Sequence, residues 1–506
     1  MTGIARLYAH EHGGRVSLLF LLFLLAIYIF TTSGFSSFAI VCTTPLIILF
    51  AYIAFKQSYI MFWTLLIVNY NVQFFSFNEW LPNGIPLSAY NELIEITLIA
   101  IAIIDIRKDH HWGRAINMMS FAILLWVLLC ALEIFNDTCR LGINVNAWFI
   151  GFRLIAFQLV YIILVFSIYI DSPEILTNYL KIWAILSLFS VYWTIKQKYI
   201  GLNSFENARI HAYGSTHYVN GIIRYWSTFS DAANYGCSAA ATSVAFLIIG
   251  LTSKLAKERI FYIIVAFLVL WGMFQSGTRV AMAGFFAGLM VYIVLSKSIK
   301  FAVPIIILGL ISFSLLAFTN IGQGNNQIRR MRSVFNRNDA SAGVREINQA
   351  TMAKYLRDAP WGIGIGIRNG DVPANNKYAL MSTIAPDSEY VYMWIHTGRI
   401  GVTVFLISMF LMLAGASWIV LFKLKNKSLA GIGAGFCCAF AAMQLGAYGN
   451  QVLYQYPNGL IFFGGLAIVY ILPYLEKDWE VYEQARLAKQ EERKRLKLEK
   501  KLASRV

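Results

Sequence analysis

Apolar runs close to 20 residues long recur along this chain from Val16 to Leu475. About 20 such residues in a helix span the hydrocarbon core of a bilayer. Backbone groups in lipid must be hydrogen-bonded within their own segment, so these runs are expected as helices. A β-barrel would show short alternating segments instead. Charged residues make up 13% of the chain and hydrophobic residues 58%, with a mean hydropathy of +0.60. Soluble domains are about a quarter charged, so the apolar excess here must face lipid. The expected fold is an all-α polytopic membrane protein of about 12–14 transmembrane helices.

Spans are expected at 16–34, 37–55, 58–77, 90–106, 115–134, 149–170, 177–198, 235–252, 260–276, 279–296, 301–319, 389–422, 429–447 and 458–475. The first follows Arg6 and Arg15 as a signal peptide would, but no small-residue cleavage site follows Phe30, so it reads as a retained span. Four regions follow: transmembrane helices over 1–319, a long loop over 320–388, C-terminal transmembrane helices over 389–475, and a basic tail over 476–506.

The formal net charge of +16 does not point to nucleic acid. Much of it sits in the tail and in short loops holding Arg107, Lys108 and Arg114, Lys254, Lys257 and Arg259, Lys297 and Lys300, and Lys423, Lys425 and Lys427. These loops fall on one side, which the positive-inside rule makes cytoplasmic, with both termini there. The tail is expected to be a solvated helix or a disordered end touching membrane lipid. His10, His12, His110 and His111 then lie on the cytoplasmic side, and His211 and His217 lie outside in a polar stretch. The six cysteines are scattered without metal-ligand spacing, so neither a disulfide framework nor a metal site is expected.

The longest loop, Asn320–Pro386, is too long for a plain connection, and such loops are usually functional or disordered. Val344, Ile347, Thr351 and Tyr355 recur at helical spacing, so Gly343–Asp358 reads as an amphipathic helix ended by Pro360 and Gly362. Five stretches on the outer side could carry chemistry. Ser276-Gly277-Thr278-Arg279 starts a span, and an arginine at that depth seeks an anionic partner or snorkels to the interface. Arg345 opens the loop helix, where it either aims at phosphate or pairs with Glu346 or Asp339. Pro360–Gly366 alternates glycines, as a backbone anion nest or a plain turn would. Asp387-Ser388-Glu389-Tyr390 sits where the loop returns to the membrane, as helix caps or as a carboxylate base. Arg224–Asp231 joins a loop to a span with aromatics suited to an interface or a sugar face.

In this order the pieces resemble the bacterial O-antigen ligase and O-antigen polymerase superfamily of membrane glycan transferases, from about Arg224 to Gly401. The matching features are the Ser276–Arg279 span start, Arg345 opening the loop helix, Pro360-Trp361-Gly362-Ile363-Gly364 ending it, Asp387-Ser388 with Tyr390, and Gly398 with Gly401. Many ligase members carry a histidine where Asp387 stands, which tilts the reading toward a polymerase or a divergent ligase.

The resemblance implies a GT-C-like architecture in the bacterial cytoplasmic (inner) membrane. It implies transfer of a glycan from an undecaprenyl-pyrophosphate donor to a hydroxyl of a glycan, lipid-core or protein acceptor, outside that membrane and without metal or other cofactor. Arg279, Arg345, Arg224 and Tyr390 would bind the substrate and its pyrophosphate. Asp387, with Glu389 as rival, would deprotonate the acceptor, and Gly362, Gly364, Gly398 and Gly401 would support the backbone. A transporter or flippase for lipid-linked sugars is the main alternative, and would be expected to show related halves and broken helices near the midplane. A non-enzymatic scaffold is the third.

Overall fold

The computed structural model describes residues 55–81, 86–105, 109–212, 214–219, 221–296, 299–324, 326–332, 340–384 and 386–504, with isolated positions before residue 55. The expected spans 16–34 and 37–55 fall almost wholly outside the described residues. So do His10, His12, Arg107, Lys108, Lys297 and Asp339. The chain divides into two compact units, residues 1–64 and 65–506.

The protein is an all-α polytopic membrane protein. Among the described residues, eleven helices are long and apolar enough to cross a membrane. They include α1 (Ser58–Phe77), α2 (Leu87–Ile104), α3 (Met118–Phe135), α4 (Val145–Tyr169) and α5 (Pro173–Ile200). After α6 (Ser204–Ala212) comes a two-residue antiparallel hairpin, β1 (Tyr218–Val219) with β2 (Ile222–Ile223). Then follow α7 (Ala232–Thr252), α8 (Ala256–Gln275), α9 (Arg279–Ser296) and α10 (Ile299–Phe318). The long loop holds α11 (Asn326–Arg332), α12 (Ala340–Leu356) and α13 (Ala379–Thr383). Finally come α14 (Glu389–Lys423), α15 (Lys427–Gly449) and α16 (Gly464–Ala503).

Polar residues set several helix starts. Asn117 and Ser120 form a reciprocal capping box on α3, Ser172 caps α5 ahead of Pro173, and Asp231 accepts from Ala233 N at 2.8 Å to start α7. Each satisfies amides that a helix cannot bond internally. The buried centre of the bundle is α7 and α15. Both are rich in Gly, Ala and Ser, which let backbones approach closely. A Cβ on Gly284 of α9, for example, would lie 2.7 Å from Ala442 O of α15.

At the tail end of the bundle, α16 runs on without a break through the basic tail to Ala503. Its Glu483 takes Lys254 Nζ at 2.7 Å and Asn426 Nδ2 at 3.2 Å, and Arg486 pairs with Glu258. At the other end the long loop builds its own core. Met352, Leu356, Ala359, Ile363, Val372, Tyr378 and Met381 bury together with Cys139 and Ile395. That core packs the loop residues between Met352 and Met381 onto Cys139 and Ile395.

Candidate active site

Two arginine-bearing sites meet at the loop end of α15. The first surrounds the link between α8 and α9. Gly277 turns that link with φ +58°. Arg224 donates to Ser276 O at 3.3 Å and to Thr278 Oγ1 at 3.0 Å, and Thr278 Oγ1 donates to Ala232 O at 2.8 Å. Arg330 of α11 donates to Gly277 O at 2.6 Å. Burial and the nearby Arg330 and Arg279 cations push the Arg224 guanidinium down to about 10. Three guanidinium groups thus crowd one span end, and their mutual repulsion would be relieved by a dense anion.

The segment feeding this site is buried, not interfacial. Trp226 and Phe229 are each 1% exposed. Gln197 Oε1 accepts from Ser227 N at 3.0 Å. Glu206 takes Lys196 Nζ at 2.7 Å, Trp193 Nε1 at 2.8 Å and Asn203 N at 2.8 Å. Burial works to raise the Glu206 carboxyl, but these hydrogen bonds outweigh it and hold it below the usual range. His217, expected in a polar stretch, is buried against Trp226 with ring centroids 4.4 Å apart. Burial and the neighbouring Arg209 push its imidazole down to about 4.

The second site lies where the long loop returns to the membrane. Arg345 donates to Gly449 O at 3.0 Å, and its Nε stands 3.6 Å from Asp387 Oδ2. It pairs with Asp387 across the loop, not with its neighbour Glu346. The pair is loose, with side chains 36% and 50% exposed. Both residues line a cavity of about 310 Å³ with Glu346, Asn348, Gln349 and Tyr448. Gly449 connects the two sites, because a Cβ there would touch Val280, the residue after Arg279, at 3.0 Å.

Glu389 and Tyr390 face the other way. Ser388 caps α14 through Tyr390 N. The Glu389 carboxylate is buried and accepts from Leu453 N at 3.1 Å. The Tyr390 hydroxyl reaches Gln444 O at 2.9 Å and Gln444 Oε1 at 2.8 Å. Both side chains hold the loop end of α15 and the loop after it, so the structure brings Arg345 and Asp387 together and leaves Glu389 and Tyr390 apart from their cavity.

The glycines close the loop against α14. That helix breaks at Gly398, which has φ +63° and ψ −167°. Into the break the loop inserts Ile363 and Gly364, whose amides donate to Ile395 O at 2.9 Å and His396 O at 3.0 Å. A segment inserted in the hydrogen-bond ladder is a standard cause of a kink. A Cβ on Gly362 would lie 2.5 Å from Gly398 N, so both positions require glycine. Gly401 packs on Thr397 a turn later. The Ile363 and Gly364 amides are therefore engaged by protein, and this stretch is a plug rather than an anion nest.

Three residues of the site escaped sequence reasoning. Arg330 was hidden in the basic run Arg329–Arg332, where charge alone does not say which arginine turns inward. His217 and His396 are buried by contacts far along the chain. Among the described residues, no group of three or more His, Cys, Asp or Glu side chains is arranged to hold a metal.

No curated protein matches the chain. Residues 264–406 match the family model described as O-antigen ligase, a stretch that runs from within α8, through the long loop, to the kinked start of α14. It contains Ser276–Arg279, Arg330, Arg345, Gly362, Gly364, Asp387, Gly398 and Gly401, and over these residues the chain is similar to the O-antigen ligase family.

Proposed function

We propose that this protein transfers an oligo- or polysaccharide from an undecaprenyl-pyrophosphate donor to an acceptor hydroxyl on the outer side of the bacterial cytoplasmic membrane. The observation that carries the reading is the position of α11. It puts Ile328 and Arg332 in the wall of an apolar cavity of about 650 Å³ between α7, α8, α9 and α10, and Arg330 on the Gly277 carbonyl. One short helix thus joins a lipid-like cavity to a cluster of arginines. A ligand that is an isoprenoid at one end and a pyrophosphate at the other matches both halves.

In this reading the apolar cavity takes the first part of the polyprenyl chain. Arg279, Arg224 and Arg330 face the pyrophosphate, whose oxygens suit the guanidinium fork. Arg345 exchanges the loose contact with Asp387 for a phosphate oxygen. Asp387 is then free to take the proton of an acceptor hydroxyl. The acceptor oxygen bonds to the anomeric carbon, the bond from that carbon to the pyrophosphate oxygen breaks, and undecaprenyl pyrophosphate leaves with the electron pair. The arginines stabilise the charge that gathers on the leaving oxygens. Glu389, held by the Leu453 amide, keeps the loop in place and is the weaker candidate for the base.

The test is release of undecaprenyl pyrophosphate by the full-length protein in lipid nanodiscs, given a lipid-linked glycan and an acceptor. Wild type is expected to release it, with Arg279→Ala and Asp387→Ala each slower by about a hundredfold or more. Turnover unchanged in both variants would overturn the assignment. Membrane vesicles of known orientation, labelled on one side at a cysteine placed in the long loop, test the outer location.

A further inference from the structure

The wall between Pro386 and Ser388 has a second cavity on its far side. It measures about 310 Å³ and is distinct from the one holding Arg345 and Asp387. Pro386 belongs to its lining, and Asp387 and Ser388 line the other cavity, so the two share this short segment as a partition. Its polar side chains are Arg368, Asn369, Ser382, Tyr392, His396 and Gln451. They come from the long loop, the first turns of α14 and the loop after α15.

The imidazole of His396 is held in one orientation. Its Nδ1 lies 2.9 Å from Gly364 O. A carbonyl oxygen only accepts, so the neutral ring donates from Nδ1 and keeps the lone pair on Nε2. Its ring lies 4.3 Å from that of Tyr392. The kink at Gly398 and the inserted Ile363–Gly364 fix both the ring and the carbonyl that orients it. The lining therefore includes an oriented imidazole, the Asn369 and Gln451 amides, the Arg368 guanidinium and the Tyr392 ring. That is a set for neutral hydroxyls. One arginine is a poor match for pyrophosphate, and the polar lining is a poor match for a polyprenyl chain. The volume is at the small end of the roughly 300–1,000 Å³ of small-molecule sites, which suits a sugar ring or two.

We infer that this cavity is an acceptor-sugar subsite, seating the sugars behind the terminal one of the glycan acceptor, so that the terminal sugar passes the edge of the Pro386–Ser388 segment and presents its hydroxyl to Asp387 in the neighbouring cavity. The assignment rests on the transfer reading above. The donor approaches from the opposite side, through the apolar cavity and Arg279. His396, Gln451 and Arg368 hold acceptor hydroxyls and Tyr392 meets the sugar face.

The test uses the full-length protein in nanodiscs and, as probe, the one- to three-repeat oligosaccharides released by mild acid from the surface polysaccharide of the producing cell. Saturation-transfer NMR reads binding without requiring catalysis, and steady-state assays separate the acceptor KM, the donor KM and kcat. Arg368→Ala and Gln451→Ala, at positions open to the cavity, and Ser382→Trp, which fills it, are expected to weaken oligosaccharide binding and raise the acceptor KM by about tenfold or more. The donor KM should stay at its wild-type value and kcat should change far less than the acceptor KM. Wild-type binding in all three variants would overturn the subsite, and so would a rise in donor KM in place of acceptor KM. Binding lost in the variants, in a protein that consumes no donor, would retain the sugar site and overturn the transfer reading alone.

Discussion

The two arginine sites differ in how firmly they are built. At the α8–α9 link, Arg224 and Arg330 donate to Ser276 O, Thr278 Oγ1 and Gly277 O, and the segment carrying Arg224 is packed down by Trp226 and Phe229. At the loop return, Arg345 and Asp387 stand 3.6 Å apart and half open to solvent. Exposed pairs at such distances contribute about 0–1 kcal/mol and exchange partners easily. In the proposed transfer the first site would be a floor that keeps its charge in place through turnover, and the second a latch that substrate opens. A transferase needs both, because the leaving group must be met by charge already positioned, while the base must give up its own partner before it can take a proton.

Substitutions can break this comparison, beginning with the largest effect. Arg279→Ala removes charge from the floor and is expected to lower kcat for transfer by about 10²–10³-fold, read by release of undecaprenyl pyrophosphate. Lysine at the same position should recover only part of this, since it keeps the charge without the fork. At the latch, Arg345→Ala should cost less, about tenfold. A double-mutant cycle between Arg345 and Asp387 on thermal stability should show coupling below about 1 kcal/mol. Strong coupling there would make the pair a brace and erase the contrast.

Gly362→Ala tests the plug that positions the second site. Gly362 has φ +74°, and its Cβ would meet Gly398 N and Ile395 O, each at 2.5 Å. A loss of more than about 1 kcal/mol in stability is expected, with faster hydrogen exchange over 359–366. The smallest effect concerns pH. His217 has a folded-state value pushed down to about 4 from 6.5. The unfolded segment therefore binds more protons between those values, and stability is full above about 6.5 and falls as pH drops toward 4. The slope within that window is at most about 1.4 kcal/mol per pH unit. Hydrogen exchange over 214–230 should accelerate in that window in wild type and lose this dependence in His217→Gln.

The spans were legible because lipid leaves the backbone no choice, and hydropathy reports that demand directly. The loop helix was legible from the spacing of Val344, Ile347, Thr351 and Tyr355, and it forms over Ala340–Leu356. Ser276–Arg279 could be singled out because charge beside an apolar run is rare, and Arg345 because it opens the loop helix. What stayed hidden depends on partners distant in sequence. Glu389 looked like a base until Leu453, 64 positions away, supplied the amide that it accepts. The glycines of Pro360–Gly366 could be read as a plain turn or an anion nest, because nothing local shows that the Ile363 and Gly364 amides meet the carbonyls of a broken helix. His396 gave no local sign of its orientation, since the break at Gly398 arises from that same insertion. Arg330 was one basic residue among several.

The most direct test of the floor and the latch is a comparison of donor KM and kcat in Arg279→Ala and Asp387→Asn, measured in nanodiscs with a defined lipid-linked glycan. The account predicts that Arg279→Ala raises donor KM and lowers kcat together, while Asp387→Asn lowers kcat by about a hundredfold or more and leaves donor KM unchanged. Wild-type kcat in Asp387→Asn would contradict it.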